Sequence, residues 1–206
     1  MELTDMTFAT IIAALKKAYL NWELPEESVE MWKNIMAVSV SEELLPVIIM
    51  DWVSNKTAPP KNPAEIIKLA SKMVAEEWDS ADASAEILID SARNAYYASD
   101  DFLTFADEYD NSFASAFGMP AQEAYIKENI RTHSSNPKIL ILVYDELKGE
   151  VEDCFKGDAE HGVEFLRNHI KNRWNTKVDE AAKEFLKSGN SDFKRITGSS
   201  YGMLEG

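Results

Sequence analysis

The sequence predicts an all-α protein, a multi-helix bundle, and three observations carry that prediction. Apolar residues recur at three- and four-residue spacing along nearly the whole of the 206-residue chain, the spacing that places side chains on one face of a helix. Helix-start signals recur with them. Asn62–Pro63 and again Asn136–Pro137 pair a capping side chain with a residue that needs no amide donor in the first turn. Finally, no run of alternating apolar and polar residues is bounded by hairpin turns, and no internal repeat appears.

The first helix carries Phe8, Ile11, Ile12, Leu15, Ala18 and Tyr19 on one face and Lys16 and Lys17 on the other. The second starts at Pro25, sets Glu26 and Glu27 beside the positive end of its dipole, and buries Val29, Trp32, Ile35 and Met36. In the third, Ser41 is the expected N-cap with Glu42 and Glu43 in the first turn. Leu44, Leu45, Val47, Ile48, Ile49, Trp52 and Val53 follow nearly all round the axis, the pattern of a central helix. Pro46 would clash with a preceding turn, so the regular helix is expected to begin only at Leu45. After a proline loop at 55–62, a fourth helix from Pro63 towards Trp78 buries Ile66, Ile67, Leu69, Ala70, Met73 and Val74.

Residues 79–84 are small and polar, and read either as a domain boundary or as a turn within one bundle. Taken as a boundary, they divide the chain into an N-terminal four-helix domain, 1–78, a second helical domain, 79–189, and a flexible tail, 190–206. The second domain is expected to hold six helices. The fifth carries Ile87, Leu88, Ala92, Ala95 and Tyr96. The sixth, capped at Ser99 and Asp100, carries Phe102, Leu103, Phe105, Tyr109, Phe113 and Phe117 up to Gly118, and the seventh opens at Met119 and Pro120 and carries Tyr125, Ile126 and Ile130. The apolar run 139–144 has the composition of a buried strand, but Leu140, Val143, Leu147, Val151 and Cys154 extend a helical stripe past strand length. A ninth helix, capped by Asp158, buries Val163, Leu166, Ile170 and Trp174. A tenth opens at a capping box of Thr176 and Asp179, buries Val178, Ala181, Ala182, Phe185 and Leu186, and stops at Gly189.

Composition narrows the function. The net charge is −15, distributed as 7 basic and 12 acidic residues over 1–78, 3 and 11 over 79–136, and 11 and 13 over 137–206. An acidic middle repels phosphates, which disfavours direct nucleic-acid binding and favours a basic partner. No apolar run reaches the length of a membrane span, and Glu2 and Asp5 stand where a targeting peptide would be basic. A cytoplasmic protein is the expectation. The lone Cys154 has no disulfide partner and reads as a small buried hydrophobe.

Motifs for chemistry are sparse. No glycine opens a Gly-x-x-x-x-Gly-Lys-Ser/Thr loop, so the chain is not read as a P-loop ATPase. His133, His161 and His169 are scattered, no cofactor or metal ligand set is apparent, and no serine has the glycine context of a nucleophile. Paired carboxylates remain: Glu27 with Glu30, Asp107 with Asp110, and Glu150 with Asp153 stand i, i+3 and could share Mg²⁺. They are the basis of one alternative, a metal-dependent helical nucleotide hydrolase, although in so acidic a chain such pairs are read as solvated faces. An acidic protein that mimics DNA is another. Residues 165–196 are locally basic, with Phe165, Trp174, Phe185 and Phe193 interleaved. Helical spacing assigns the helical aromatics to core packing rather than to stacking on nucleic acid.

One stretch carries a resemblance. The run from Phe8 to an aromatic Tyr19, then Trp22, Leu24, Glu26, Glu27, Val29 and Trp32, then Trp52, Asn55, Lys56, Pro59 and Pro60 leading into Ala64, Glu65 and Ile66, resembles the N-terminal domain of the phage replicative helicase loader/inhibitor family. It covers about the first 78 residues; Leu20 stands where the family commonly has proline. The resemblance implies a non-enzymatic phage adaptor that loads or restrains the hexameric replicative helicase in DNA replication, with an origin-binding replication protein as a second partner. In a loader without an ATP site, affinity has to come from surface contacts. The tail offers Phe193, Lys194, Arg195 and Tyr201, aromatic and basic anchors for such a partner.

Overall fold

The computed structural model describes residues 3–110, 119–156 and 162–188. The chain is all-α, and the described residues form α1 (Asp5–Ala18), α2 (Glu26–Ser39), α3 (Leu45–Asn55), α4 (Pro63–Ala75), α5 (Ala81–Tyr96), α6 (Asp100–Asp110), α7 (Ala121–His133), α8 (Pro137–Lys156) and α9 (Gly162–Ser188). They gather into two compact units. One comprises the described residues within Met1–Glu77 and Asp179–Gly206, the other those within Trp78–Val178, so α9 contributes to both. Among the described residues no helix is long and apolar enough to cross a membrane.

In the first unit α1 packs on α3, α3 on α4 and α4 on α2. The core is the centre of the apolar face the sequence marks out, Phe8, Ile11 and Leu15 from α1, Trp32 and Met36 from α2, Leu45, Ile48, Ile49 and Trp52 from α3, and Ile66, Ala70 and Val74 from α4, while Val29, Ile35, Ile67, Leu69 and Met73, expected to be buried, are half-buried at its edge. Thr4 caps α1 by accepting from the Thr7 amide at 3.2 Å, and Asn62 caps α4 by accepting from the Glu65 amide at 3.2 Å. The aromatic that ends α1 has a specific task. Tyr19 Oη donates to the carbonyl of Lys56 at 3.0 Å, one of the α3 carboxyl-end groups that the helix itself leaves unpaired, and Trp52 Nε1 donates to the Ala58 carbonyl in the loop beyond at 3.2 Å. The turn after α1 is made without proline by Asn21 at φ 69°, a conformation that asparagine tolerates.

Ser41 is not the N-cap of α3. The chain turns through 42–44 before the helix starts at Leu45, with Pro46 in the first turn, and no side chain caps it. A proline early in α3 explains the delay, because its ring excludes a helical turn ahead of it. Ser41 is instead buried, its amide donating to the Leu186 carbonyl of α9 at 2.7 Å. Glu42 leaves the helix altogether and accepts from the hydroxyls of Thr4 and Thr7.

In the second unit α5 lies against α7 and α8, and α6 against α7. Small buried residues on α5, namely Ser84, Ala85, Ser91, Ala92 and Ala95, let neighbouring helices approach closely. Phe102, Phe105, Tyr109 and Tyr125 pack ring on ring between α6 and α7, with centroids 5.4–5.6 Å apart. The link at 79–80 is tightly held. The Asp79 carboxylate accepts from the Ser134 hydroxyl and the Ser135 amide, both at 2.8 Å, and the Asp79 carbonyl accepts from Trp174 Nε1 at 3.1 Å. The α4 helix stops at Ala75 and does not reach Trp78, and His133 belongs to α7.

The expected ninth and tenth helices are one continuous helix of 27 residues. Thr176 does not cap a helix: its hydroxyl donates to the Asn172 carbonyl one turn back at 3.0 Å, and Asp179 pairs with Lys183 at 2.5 Å. The expectations for Phe113, Phe117, Asp158, Gly189 and the tail fall outside the described residues.

Between α5 and α6 the chain adopts a Schellman-type end. The Ser99 amide donates to the Asn94 carbonyl and that of Tyr97 to Arg93, both at 3.0 Å, which places Ala98 at φ 51°. A Cβ in this left-handed region costs about 1–2 kcal/mol. Ala98 is exposed, so Ala98→Gly removes the strain without loss of packing and is expected to raise stability by about 1 kcal/mol. A thermal melt that is unchanged or lower would contradict this.

Candidate functional site

The partner anchors expected from sequence, Phe193, Lys194, Arg195 and Tyr201, lie outside the described residues. Of the carboxylate pairs, Glu27 and Glu30 are exposed on α2, while Asp107 is exposed on α6 and the side chain of Asp110 lies outside the description. The third pair is different. Glu150 and Asp153, in the last two turns of α8, line a cavity of about 320 Å³ with Cys154, Gly162, Phe165 and Leu166.

Its geometry follows from the pairing of α8 with the start of α9. Leu166 and Cys154 are buried and form an apolar floor. Gly162 lies so close to this floor that a Cβ there would stand 3.1 Å from Cys154 Sγ. Burial pushes the Cys154 thiol above its ordinary range, which makes it a poor nucleophile. One residue before Leu166, Phe165 is 60% exposed, contrary to the expectation of core packing. A helix that buries Leu166 turns its neighbour about 100° away. The Phe165 ring lies against the imidazole of His169, centroids 4.0 Å apart, and His169 Nδ1 is 2.6 Å from Glu150 Oε2. Among the described residues no group of three or more His, Cys, Asp or Glu converges where an ion could be held.

A second polar constellation lies beside the core of the same unit. Glu123 receives Lys127 at 2.9 Å and Lys148 at 2.5 Å, and Lys127 also meets Asp145 at 2.8 Å. Desolvation pushes the Glu123 carboxyl up, but the hydrogen bonds from Lys148 and Lys127 outweigh it and hold the group below its ordinary 4.5. The same negative charge acts on the neighbouring phenols. Tyr96 is pushed up to about 12, first by desolvation and then by Glu152 and Glu123. Tyr144, wholly buried with its hydroxyl unpartnered among the described residues, is raised for the same reasons. Both phenols keep their protons at neutral pH.

A pH-dependent contribution follows. A carboxyl whose folded pKa lies below its unfolded value stabilises the fold fully above the unfolded value, and that stabilisation is lost as pH falls through the folded pKa. Breaking a buried pair costs about 3–5 kcal/mol and an exposed one about 0–1 kcal/mol. Glu123 and Lys127 have only 13% and 14% of their side chains exposed, so Glu123→Gln is expected to lose about 2 kcal/mol at pH 7. The difference from the parent should shrink towards pH 3. Urea titrations at the two pH values test this, and a pH-independent difference would refute it.

Most of the cations of α9 are held in intramolecular pairs. Arg167 meets Glu86 and Glu164, Lys171 meets Asp82 at 2.7 Å, Lys177 meets Glu146 at 2.8 Å, and Lys183 meets Asp179. These pairs lace the α9 cations to α5 and α8 and along α9 itself. Elsewhere in the unit Arg93, Arg131 and Lys156 are paired within their own helices. The α6 helix carries Asp100, Asp101, Asp107, Glu108 and Asp110 and no basic residue. Large apolar side chains stand exposed over the same unit: Tyr97 at 56%, Leu103 at 49%, Leu142 at 54% and Phe165.

Compared with protein-family models, curated proteins and solved structures, the chain matches none.

Proposed function

We propose that the protein is a non-enzymatic adaptor that works in the cytoplasm by recognising another protein, and that its partner is the hexameric replicative helicase of a phage replication system, which it loads or restrains. The observation that carries the first part is the surface of the second unit, where most cations sit in internal pairs and exposed acid on α6 shares the unit with exposed apolar side chains. Residues 78–178 hold 19 acidic and 10 basic residues, a difference of −9. Such a surface repels phosphates and offers apolar anchors to a basic protein. The name of the partner rests on the resemblance of residues 8–78 alone.

Calorimetric titration of the full chain and of a chain ending at residue 189 against the purified helicase of the protein's own host tests this reading. The full chain is expected to bind, and loss of Phe193, Lys194, Arg195 and Tyr201 with the tail to weaken binding at least tenfold, about 1.4 kcal/mol. No binding by the full chain would remove the helicase as partner. Nucleoside triphosphate turnover with Mg²⁺ would replace the adaptor reading with the hydrolase.

A further inference from the structure

We propose that the groove between the end of α8 and the start of α9 receives an arginine side chain from a basic protein partner. The inference rests on the reading of the protein as an adaptor and adds a surface and a chemistry to it. Its starting point is Phe165, a large ring left 60% in water beside a neighbour, Leu166, that is 1% exposed. The ring borders a cavity of about 320 Å³ whose rim carries the carboxylates of Glu150 and Asp153 and whose floor is Cys154 and Leu166. Small-ligand sites span about 300–1,000 Å³, so this one is sized for a side chain rather than a large cofactor.

Each wall matches one part of arginine. The apolar floor suits the methylene stem, which lies along hydrophobic surface while its head stays polar. The Phe165 ring lies against His169 with centroids 4.0 Å apart, and the part of it left in water attracts a cation through the ring quadrupole. Two carboxylates one helical turn apart accept the planar fork of donors, and a guanidinium stacks on rings and is more weakly hydrated than an ammonium, which favours arginine over lysine.

Charge selects the same class of occupant. The carboxyl end of α8 and the amino end of α9 bring dipole ends of opposite sign to the groove, each equivalent to about half a charge. They offset one another and leave the field to the carboxylates. Among the described residues, Lys156 pairs with Glu152 at 3.2 Å and Arg167 with Glu86 and Glu164, while His169 meets Glu150. The same carboxylates repel a phosphate backbone, so the occupant is a protein side chain.

Titration of the isotope-labelled full chain with N-acetyl-arginine amide, followed by NMR, tests the groove. Saturable shifts confined to residues 150–154 and 162–169 are expected, at least fivefold tighter than with the uncharged citrulline analogue. Phe165→Leu and Glu150→Gln should each weaken binding at least threefold while circular dichroism stays unchanged, and Asp153→Asn supplies a third variant should either misfold. Shifts spread over α6 and other acidic faces, or binding indifferent to the variants, would overturn the proposal. The helicase titration is read separately. Helicase binding without arginine binding here refutes the groove and leaves the adaptor, whereas arginine binding here without helicase binding keeps the groove and removes that partner.

Discussion

Trp174→Ala is expected to destabilise the protein by about 5 kcal/mol, because two losses coincide. Trp174 is 1% exposed in α9, in line with buried Leu166, Ile170 and Val178. Truncating a buried tryptophan costs about 3–5 kcal/mol through lost transfer free energy and the cavity left behind. Its indole also donates to the carbonyl of half-buried Asp79 at 3.1 Å, and losing that hydrogen bond costs about 1 kcal/mol more. Against a typical net stability of about 5–15 kcal/mol, the second unit should be largely unfolded at moderate urea. Trp174→Phe separates the two losses. It keeps most of the apolar volume and forfeits the hydrogen bond, so about 2 kcal/mol is expected. Urea titrations of both variants give the comparison, and an alanine variant less than about 2 kcal/mol below the parent would show that the 79–80 link and α9 can close over the space.

The same stripe shows what the sequence makes legible. Leu166, Ile170, Trp174, Val178, Ala182 and Leu186 stand four residues apart without interruption, and all six are buried. That periodicity runs straight through the expected break, and it was the stronger signal for one helix. Thr176 and Asp179 misled because a threonine followed three residues later by an acid is equally at home inside a helix, where the hydroxyl can bond the preceding turn. Helix starts were legible at Asn62, Ser99 and Asn136, where one side chain and one amide make the cap, but the same kind of cap at Thr4 and at Ser80 was not, and α5 already begins at Ala81 inside the stretch expected to be a boundary or turn. The start of α3 was only half legible: Pro46 correctly marks Leu45 as the first helical residue, but the destination of Ser41 depends on α9, far along the chain.

The groove could not be read from spacing. Glu150 with Asp153 is a local pattern, but the contact that distinguishes this pair is His169, 19 residues away, and it exists only because α8 and α9 pack side by side. Glu123 with Lys148, 25 residues apart, likewise depends on the packing of α7 on α8. A retrospective signal for Phe165 is its offset by one from the four-residue stripe. An aromatic one position off a buried row faces solvent on any regular helix, and an apolar ring in water is informative when polar groups converge beside it.

Trp32→Ala is expected to cost about 3–5 kcal/mol and to do so in the first unit. Trp32 is 3% exposed, one turn before the wholly buried Met36, and its ring stands 5.9 Å from that of Trp22 at a tilt of 56°. Removing it strips α2 of its largest apolar group and leaves Trp22 facing a void, and α2 holds to the unit chiefly through α4. Hydrogen exchange should therefore show lost protection in α2 and α4 first. The substitution also discriminates between two roles, since Trp32 lies within the stretch that resembles the helicase-loader family. A residue that builds the core loses stability on truncation and loses binding only in proportion to the unfolded fraction. A contact residue does the reverse, and a variant within about 1 kcal/mol of the parent that nevertheless fails to bind the helicase would move Trp32 from the core to the interface.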